Sequence, residues 1–232
     1  MQIDTTQGSK AEAKSPVVPT TTLSLGAIIQ KLRDTICNRQ LDLNFKCHLL
    51  RNLGPLCHND CSTAEQMSTS LLEKLIDYDQ VDFQHVLGSC LTSLWVTRGK
   101  LAEQIDTILG IVEKGAGLEL NVKRNYVVYL HQIITIEGET NTAIKERLIK
   151  LQKIFLKFLF DRRSSMQDLA SKSLTIVYNL GDEDTKRNLV EALSNTFSGQ
   201  TDYKDTSNIK EELEEIKDDE LTADFRNQFS DA

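Results

Sequence analysis

The sequence predicts an all-α protein, a solenoid of antiparallel helix pairs, on three observations. Apolar residues recur at every third or fourth position from Leu23 to Phe197. Only 3 Pro and 11 Gly interrupt 232 residues, while Leu, Ile, Lys and Glu dominate, a composition that favours helices over strands. Units of helix, short break and helix begin near 43, 80, 119 and 165, a period of about 37 to 46 residues close to the roughly 40 to 47 of HEAT and armadillo repeats.

Residues 1–21 mix Thr, Ser, Gln and Lys with Pro16 and Pro19 and show no apolar periodicity. Such a segment cannot bury enough surface to offset its ordering entropy and is read as disordered. The helical repeat domain is assigned to 22–199. Its first helix runs from about Leu23 to Asn38, with Leu25, Ile28, Ile29, Leu32 and Ile36 on one side.

Four pairs follow. The first joins Leu43–Leu53 to Ala64–Ile76: Gly54 and Pro55 are expected to end the former, and Ser62 with Glu65 to form a capping box for the latter. The second uses Val81, Val86, Leu87, Cys90, Leu91 and Leu94, then Leu101, Ile105, Ile108, Leu109 and Val112, with Gly115 placed for a left-handed cap. The third carries Val122, Val127, Leu130, Ile133 and Ile134, a polar break at Gly138–Thr140, then one helix through Ile144, Leu148, Leu151, Ile154, Phe155, Phe158 and Leu159. The fourth opens near Ser165, with Asp168 three residues on, and runs through Leu169, Ala170, Leu174, Val177 and Leu180 to a stop at Gly181. Its partner helix carries Leu189, Val190, Leu193 and Phe197 and ends at Gly199, giving about nine helices in all. Each pair buries only part of its surface alone, so stability comes from stacked neighbours, and a long exposed flank is left for partners.

Residues 200–232 form an acidic segment, read as mobile unless it meets a basic surface. The net charge of −7 comes from here: eleven acidic residues face four basic ones after Gln200, which leaves the rest neutral. A neutral body creates no field that draws in nucleic acid, and the acidic segment repels phosphate, so DNA and RNA are disfavoured partners.

Met1–Thr22 is polar and lacks a signal-peptide pattern, and the apolar run Ile154–Phe160 is broken by Lys157. Neither approaches the roughly 20 residues of a membrane span. Five cysteines at Cys37, Cys47, Cys57, Cys61 and Cys90 suit reduced thiols in the cytoplasm or nucleus.

Few residues suggest chemistry. Cys47-His48, Cys57-His58 and Cys61 are metal-ligand types, but their spacing fits no zinc finger and no metal is assigned. His85 and Cys90 stand five apart and diverge on a helix, and no phosphate loop, nucleophile elbow or paired-carboxylate motif accompanies them. The chain is therefore read as a non-enzyme, with no catalytic residue, cofactor or small-molecule substrate. Trp95 and Tyr178 are assigned to packing at helix ends rather than to an interface. Lys150, Lys153 and Lys157, spaced three and four apart, stack along one helix face opposite its apolar stripe and are the candidate partner-binding residues.

The segment Asp168-Leu169-Ala170-Ser171-Lys172-Ser173-Leu174-Thr175-Ile176-Val177-Tyr178-Asn179-Leu180-Gly181 closely resembles part of the proteasome adaptor and scaffold family, whose members are large HEAT-repeat proteins. The acidic turn after it, and Leu189-Val190-Glu191-Ala192-Leu193 through Gly199, are similar to the same family. A weaker likeness continues upstream through Arg124–Phe160 and through Leu49–Leu94, where Leu53-Gly54 and Val86-Leu87-Gly88 align. The resemblance implies a protein of cytoplasm and nucleus that bridges and stabilises the proteasome core and regulatory particles. A trafficking or nuclear-transport adaptor on the same repeats, binding a different protein, is the alternative.

Overall fold

The computed structural model describes residues 24–58, 61–114 and 117–197. Every regular element among them is helical: α1 (Leu25–Ile36), α2 (Leu43–Leu56), α3 (Cys61–Leu75), α4 (Val81–Thr97), α5 (Leu101–Lys114), α6 (Leu120–Glu137), α7 (Thr142–Lys145), α8 (Leu148–Phe158), α9 (Ser164–Leu180) and α10 (Glu183–Phe197). The expected assignments of 1–21 and 200–232, and the caps at Gly115 and Gly199, lie outside the described residues.

Short polar side chains start several of these helices by taking up orphan N–H groups. The Ala27 N–H donates to Ser24 Oγ at 3.3 Å, that of Phe45 to Asp42 at 3.1 Å, and that of Thr185 to Asp182 at 2.8 Å. Gly181 ends α9, as the sequence predicts, and does so with extended backbone.

Helices α2, α4, α6 and α9 pack each on the next as one row. The remaining helices lie against that row: α3 on α4, α5 on α6 and α8 on α9, with α5 touching α8, α8 touching α10, and α1 seated on α2 and α3. This is an all-α helical repeat stack. A single apolar cluster runs through it from Ile29 to Leu189, with Leu87, Trp95, Leu130 and Phe155 fully enclosed. The tightest seams cross the pair boundaries drawn from sequence, since α3 packs more closely on α4, and α8 on α9, than α4 on α5 or α9 on α10.

Three local expectations are corrected. Helix α2 does not stop at Leu53 but runs to Leu56 with Pro55 in its last turn. There the ring forfeits one hydrogen bond, to the carbonyl of exposed Arg51, at little cost. Gly54 serves packing instead, because a Cβ on it would lie 2.8 Å from Ser93 Oγ of α4. Helix α3 begins at Cys61, so Ser62 lies inside the first turn and not at a capping position.

The single helix expected from Ile144 to Leu159 is two, α7 and α8. Arg147 leaves helical geometry at φ −112°, ψ 3°, and its guanidinium repairs the gap by donating to the Ala143 carbonyl at 2.9 Å and to both oxygens of Asp106 at 2.9 and 2.7 Å. The apolar phase survives that turn, which is why periodicity alone reads straight through it.

Candidate functional site

Helix α8 owes its position to a broad apolar arc. Leu148, Leu151, Ile154, Phe155, Leu156 and Phe158 are buried against the surrounding helices. At about 100° per residue, what remains is a strip about 100° wide holding Ile149, Lys150, Lys153 and Lys157. Lys150 and Lys153 are exposed and Lys157 is half-buried. The structure thus brings the three predicted lysines to one open strip. It adds two apolar residues that sequence reasoning missed: Ile149 and Phe160, just past the helix end, are each 47% exposed.

The strip is basic because its neighbours do not neutralise it. Asp106 of α5 is engaged by Arg147, whose hydrogen bond holds that carboxyl below the usual range. Lys150 Nζ stands 3.9 Å from the same carboxylate. Among the described residues, Lys145, Lys153 and Lys157 have no carboxylate within ion-pair distance. Cations beside exposed apolar side chains form a surface suited to acidic, amphipathic protein segments.

The polar groups that look chemical are occupied in holding the row together. The Ser173 hydroxyl donates to the Leu169 carbonyl at 2.7 Å, so it accepts from His131 Nδ1, 2.8 Å away. That order of protons leaves His131 unable to act as a base toward Ser173. Burial, reinforced by nearby His85, pushes His131 down to about 4. The two imidazoles meet edge to face at 5.8 Å. His85 Nδ1 accepts from Gln132 Nε2 at 2.7 Å, and Gln132 Oε1 accepts from Ser89 at 2.7 Å.

Cys90 points the other way, toward Gly54 of α2 and Cys57 just past its end, and complete burial pushes its thiol up to about 12. His85 and Cys90 are therefore not brought together. Cys57 is buried, whereas His48 and His58 are exposed, so the cysteine–histidine neighbours also face apart. No three His, Cys, Asp or Glu side chains among the described residues converge as a metal site requires.

Trp95 is in the core, as expected, but Tyr178 is not packed away: it is 42% exposed, with Lys186 Nζ 5.8 Å from its ring centroid. The reason is that α10 meets α9 along a narrow seam, leaving the last turn of α9 open.

Sequence reasoning also missed the polar clamp on the α3–α4 link. Gln84 Nε2 donates to the carbonyls of Leu75 and Tyr78 at 3.0 and 2.7 Å, and Asn125 Nδ2 to those of Ile76 and Tyr78 at 2.7 and 3.0 Å. Tyr129 donates to Gln84 Oε1, and fully buried Lys46 donates to the Tyr78 hydroxyl at 2.8 Å. These partners stand 6 to 49 positions apart in the chain. Polar residues on otherwise apolar faces, such as Gln84 and Asn125, were the available signal.

No helix among the described residues is long and apolar enough to cross a membrane. Compared with protein-family models, curated proteins and solved structures, the chain matches none.

Proposed function

We propose that this chain is a non-enzymatic protein-binding scaffold that engages its partner through the open strip of α8. The observation that carries the reading is the strip itself: Lys150, Lys153 and Lys157 flanked by exposed Ile149 and Phe160, with Lys153 and Lys157 lacking an acidic partner among the described residues. A stacked array offers such a flank on a rigid frame, because each helix is held by neighbours and not by the ligand. The Ser173 and His131 arrangement supports a structural role for the row, since the hydroxyl proton is committed to a backbone carbonyl.

For the partner we propose the proteasome, with core and regulatory particles bridged or stabilised in cytoplasm and nucleus. What supports it is the resemblance of Asp168–Gly181 and Leu189–Leu193 to the adaptor family, segments that form α9 and α10 here. The test is a pull-down from native lysate with the full chain and with K150E/K153E/K157E, followed by identification of proteasome subunits. Recovery with the wild type and at least ten-fold loss with the variant is the expected result. Wild-type chain that brings down import receptors or coat proteins and no proteasome subunit turns the assignment to the trafficking alternative.

A further inference from the structure

The open strip on α8 has a candidate occupant in the same chain. We propose that the acidic segment 209–229 docks on this strip in cis and screens it from outside partners. The proposal rests on reading the strip as a protein-binding face and names what covers it in the free protein.

Charge and side-chain pattern match. Around the strip, the ion pairs of Lys145, Arg147, Lys150, Lys153 and Lys157 with described residues reach Asp106 and Glu146 only. The segment carries Glu211, Glu212, Glu214, Glu215, Asp218, Asp219 and Glu220, and residues 201–232, of which it is the greater part, hold all of the net −7 of the molecule. Among these acids stand Ile209, Leu213 and Ile216, spaced four and three apart, then Leu221, Phe225 and Phe229, spaced four apart. Within each triplet that spacing keeps the apolar side chains on one side of a helix, and the acids of 211–220 are bracketed in sequence by Ile209 and Leu221, an order of apolar, acidic, apolar. It mirrors the strip, where Ile149 and Phe160 stand at the two ends and the lysines lie between.

Like-charge repulsion at i,i+4 disfavours the acidic helix in isolation, and a row of lysines removes that penalty. Two lengths make the contact reachable. Helix α10 packs on α8 and ends at Phe197. From there the eleven residues 198–208 span up to about 36 Å when extended, more than twice the roughly 16 Å of an 11-residue helix such as α8. A tether this short holds the segment at an effective concentration in the millimolar range, so even weak pairing is populated.

The test is amide hydrogen exchange of the full chain at low salt, read over 209–221. In wild type these amides are expected to exchange at least ten-fold slower than an unstructured peptide, with no dependence on protein concentration. Protection is expected to vanish in K150E/K153E/K157E, and also in E211K/E212K/E214K/E215K, a change outside the described helices. It should return when the two sets of reversals are combined. Unprotected wild-type amides overturn the proposal, as does protection that survives either reversal, which would belong to the segment alone. Protection that grows with concentration also overturns it, because the occupant is then a second copy. The two readings fail separately: free exchange at 209–221 with partner capture still lost in K150E/K153E/K157E sinks the cis contact and keeps the binding face, whereas a protected segment with unchanged capture sinks the face as partner site.

Discussion

Arg124 and Asp161 show how much one buried side chain can decide. Both are about 4% exposed, and the carboxylate accepts from Arg124 Nε at 2.9 and 3.2 Å and from the Arg163 N–H at 2.8 Å. Removing the carboxylate breaks a buried ion pair and the bond to the Arg163 N–H together, so Asp161→Ala is expected to cost about 3–5 kcal/mol. Urea unfolding at low and high salt checks it, since a buried pair changes little with ionic strength. A loss below about 1 kcal/mol would mean that water reaches the site. His131 makes a second residue-scale claim, this time with pH. Its folded-state value of about 4 lies below the ordinary value near 6.5, so the unfolded chain takes up a proton first. The stability it supports is therefore complete above pH ~6.5 and declines as pH falls to about 4. The groups facing it are His85 from α4 and Ser173, Lys172 and Asp168 from α9. Partial exposure of the ring screens the effect, leaving about 1–2 kcal/mol across that window. Unfolding of His131→Asn at pH 7 and pH 4.5 should show a shallower acid loss than wild type; equal losses would place His131 in water.

At the scale of the helix, two glycines separate contact from propensity. In α4, a Cβ on Gly88 would lie 2.9 Å from Tyr129 Cδ1 and 3.4 Å from the Tyr129 Cα, and Tyr129 is fully buried. In α5, Gly110 has nothing within 4 Å of the same position. Alanine gains up to about 1 kcal/mol over glycine inside a helix, while overpacking a core costs about 1–3 kcal/mol. Gly110→Ala is thus expected to raise the thermal midpoint and Gly88→Ala to lower it, and a rise for both would show that α4 and α6 can move apart. The same scale explains what the sequence reveals. Helices α1, α4, α5, α6 and α9 are legible because burial imprints a local period on one face. The end of α2 was misread because Gly54 and Pro55 are ordinary stop signals, and only the approach to Ser93 shows their other use. The lysines of α8 were legible for the same local reason, three and four positions apart. The clamp of Lys46, Gln84 and Asn125 on the α3–α4 link was not, since side chains dozens of positions apart leave no periodic trace. Exposure of Ile149 and Phe160 depends likewise on how far α5 and α10 cover α8, a property of packing and not of the strip.

Across the whole molecule the question is whether the stack unfolds pair by pair or as one unit. Repeat arrays are approximately a sum of pair stabilities and interface energies, and weak interfaces let them come apart in pieces. Here one apolar cluster extends from α1 to α10, and the α3–α4 link is bonded to α2 through Lys46, to α6 through Asn125 and to the start of α9 through Arg163, which pairs with Asp79 at 2.6 Å. Separating any pair would bare both sides of a dry seam and break bonds that reach past the next helix. The ends differ: Leu25 and Ile28 of α1, and Val190 and Phe197 of α10, are exposed, and each of these helices packs chiefly on two others among the described residues, so they fray first. Leu130, fully buried in the central helix α6, is the lever that tests this. Leu130→Ala should cost about 2–5 kcal/mol, which raises exchange of the slowest amides about 30-fold or more. If the stack is one unit, amides in α2 and α9 accelerate by the same factor as those in α6, while α1 and α10 change little because they already open locally. Acceleration confined to α4, α5 and α6, with α2 and α9 unchanged, would instead divide the stack into independent blocks, and the row of α2, α4, α6 and α9 would then be three contacts in sequence with no shared transition.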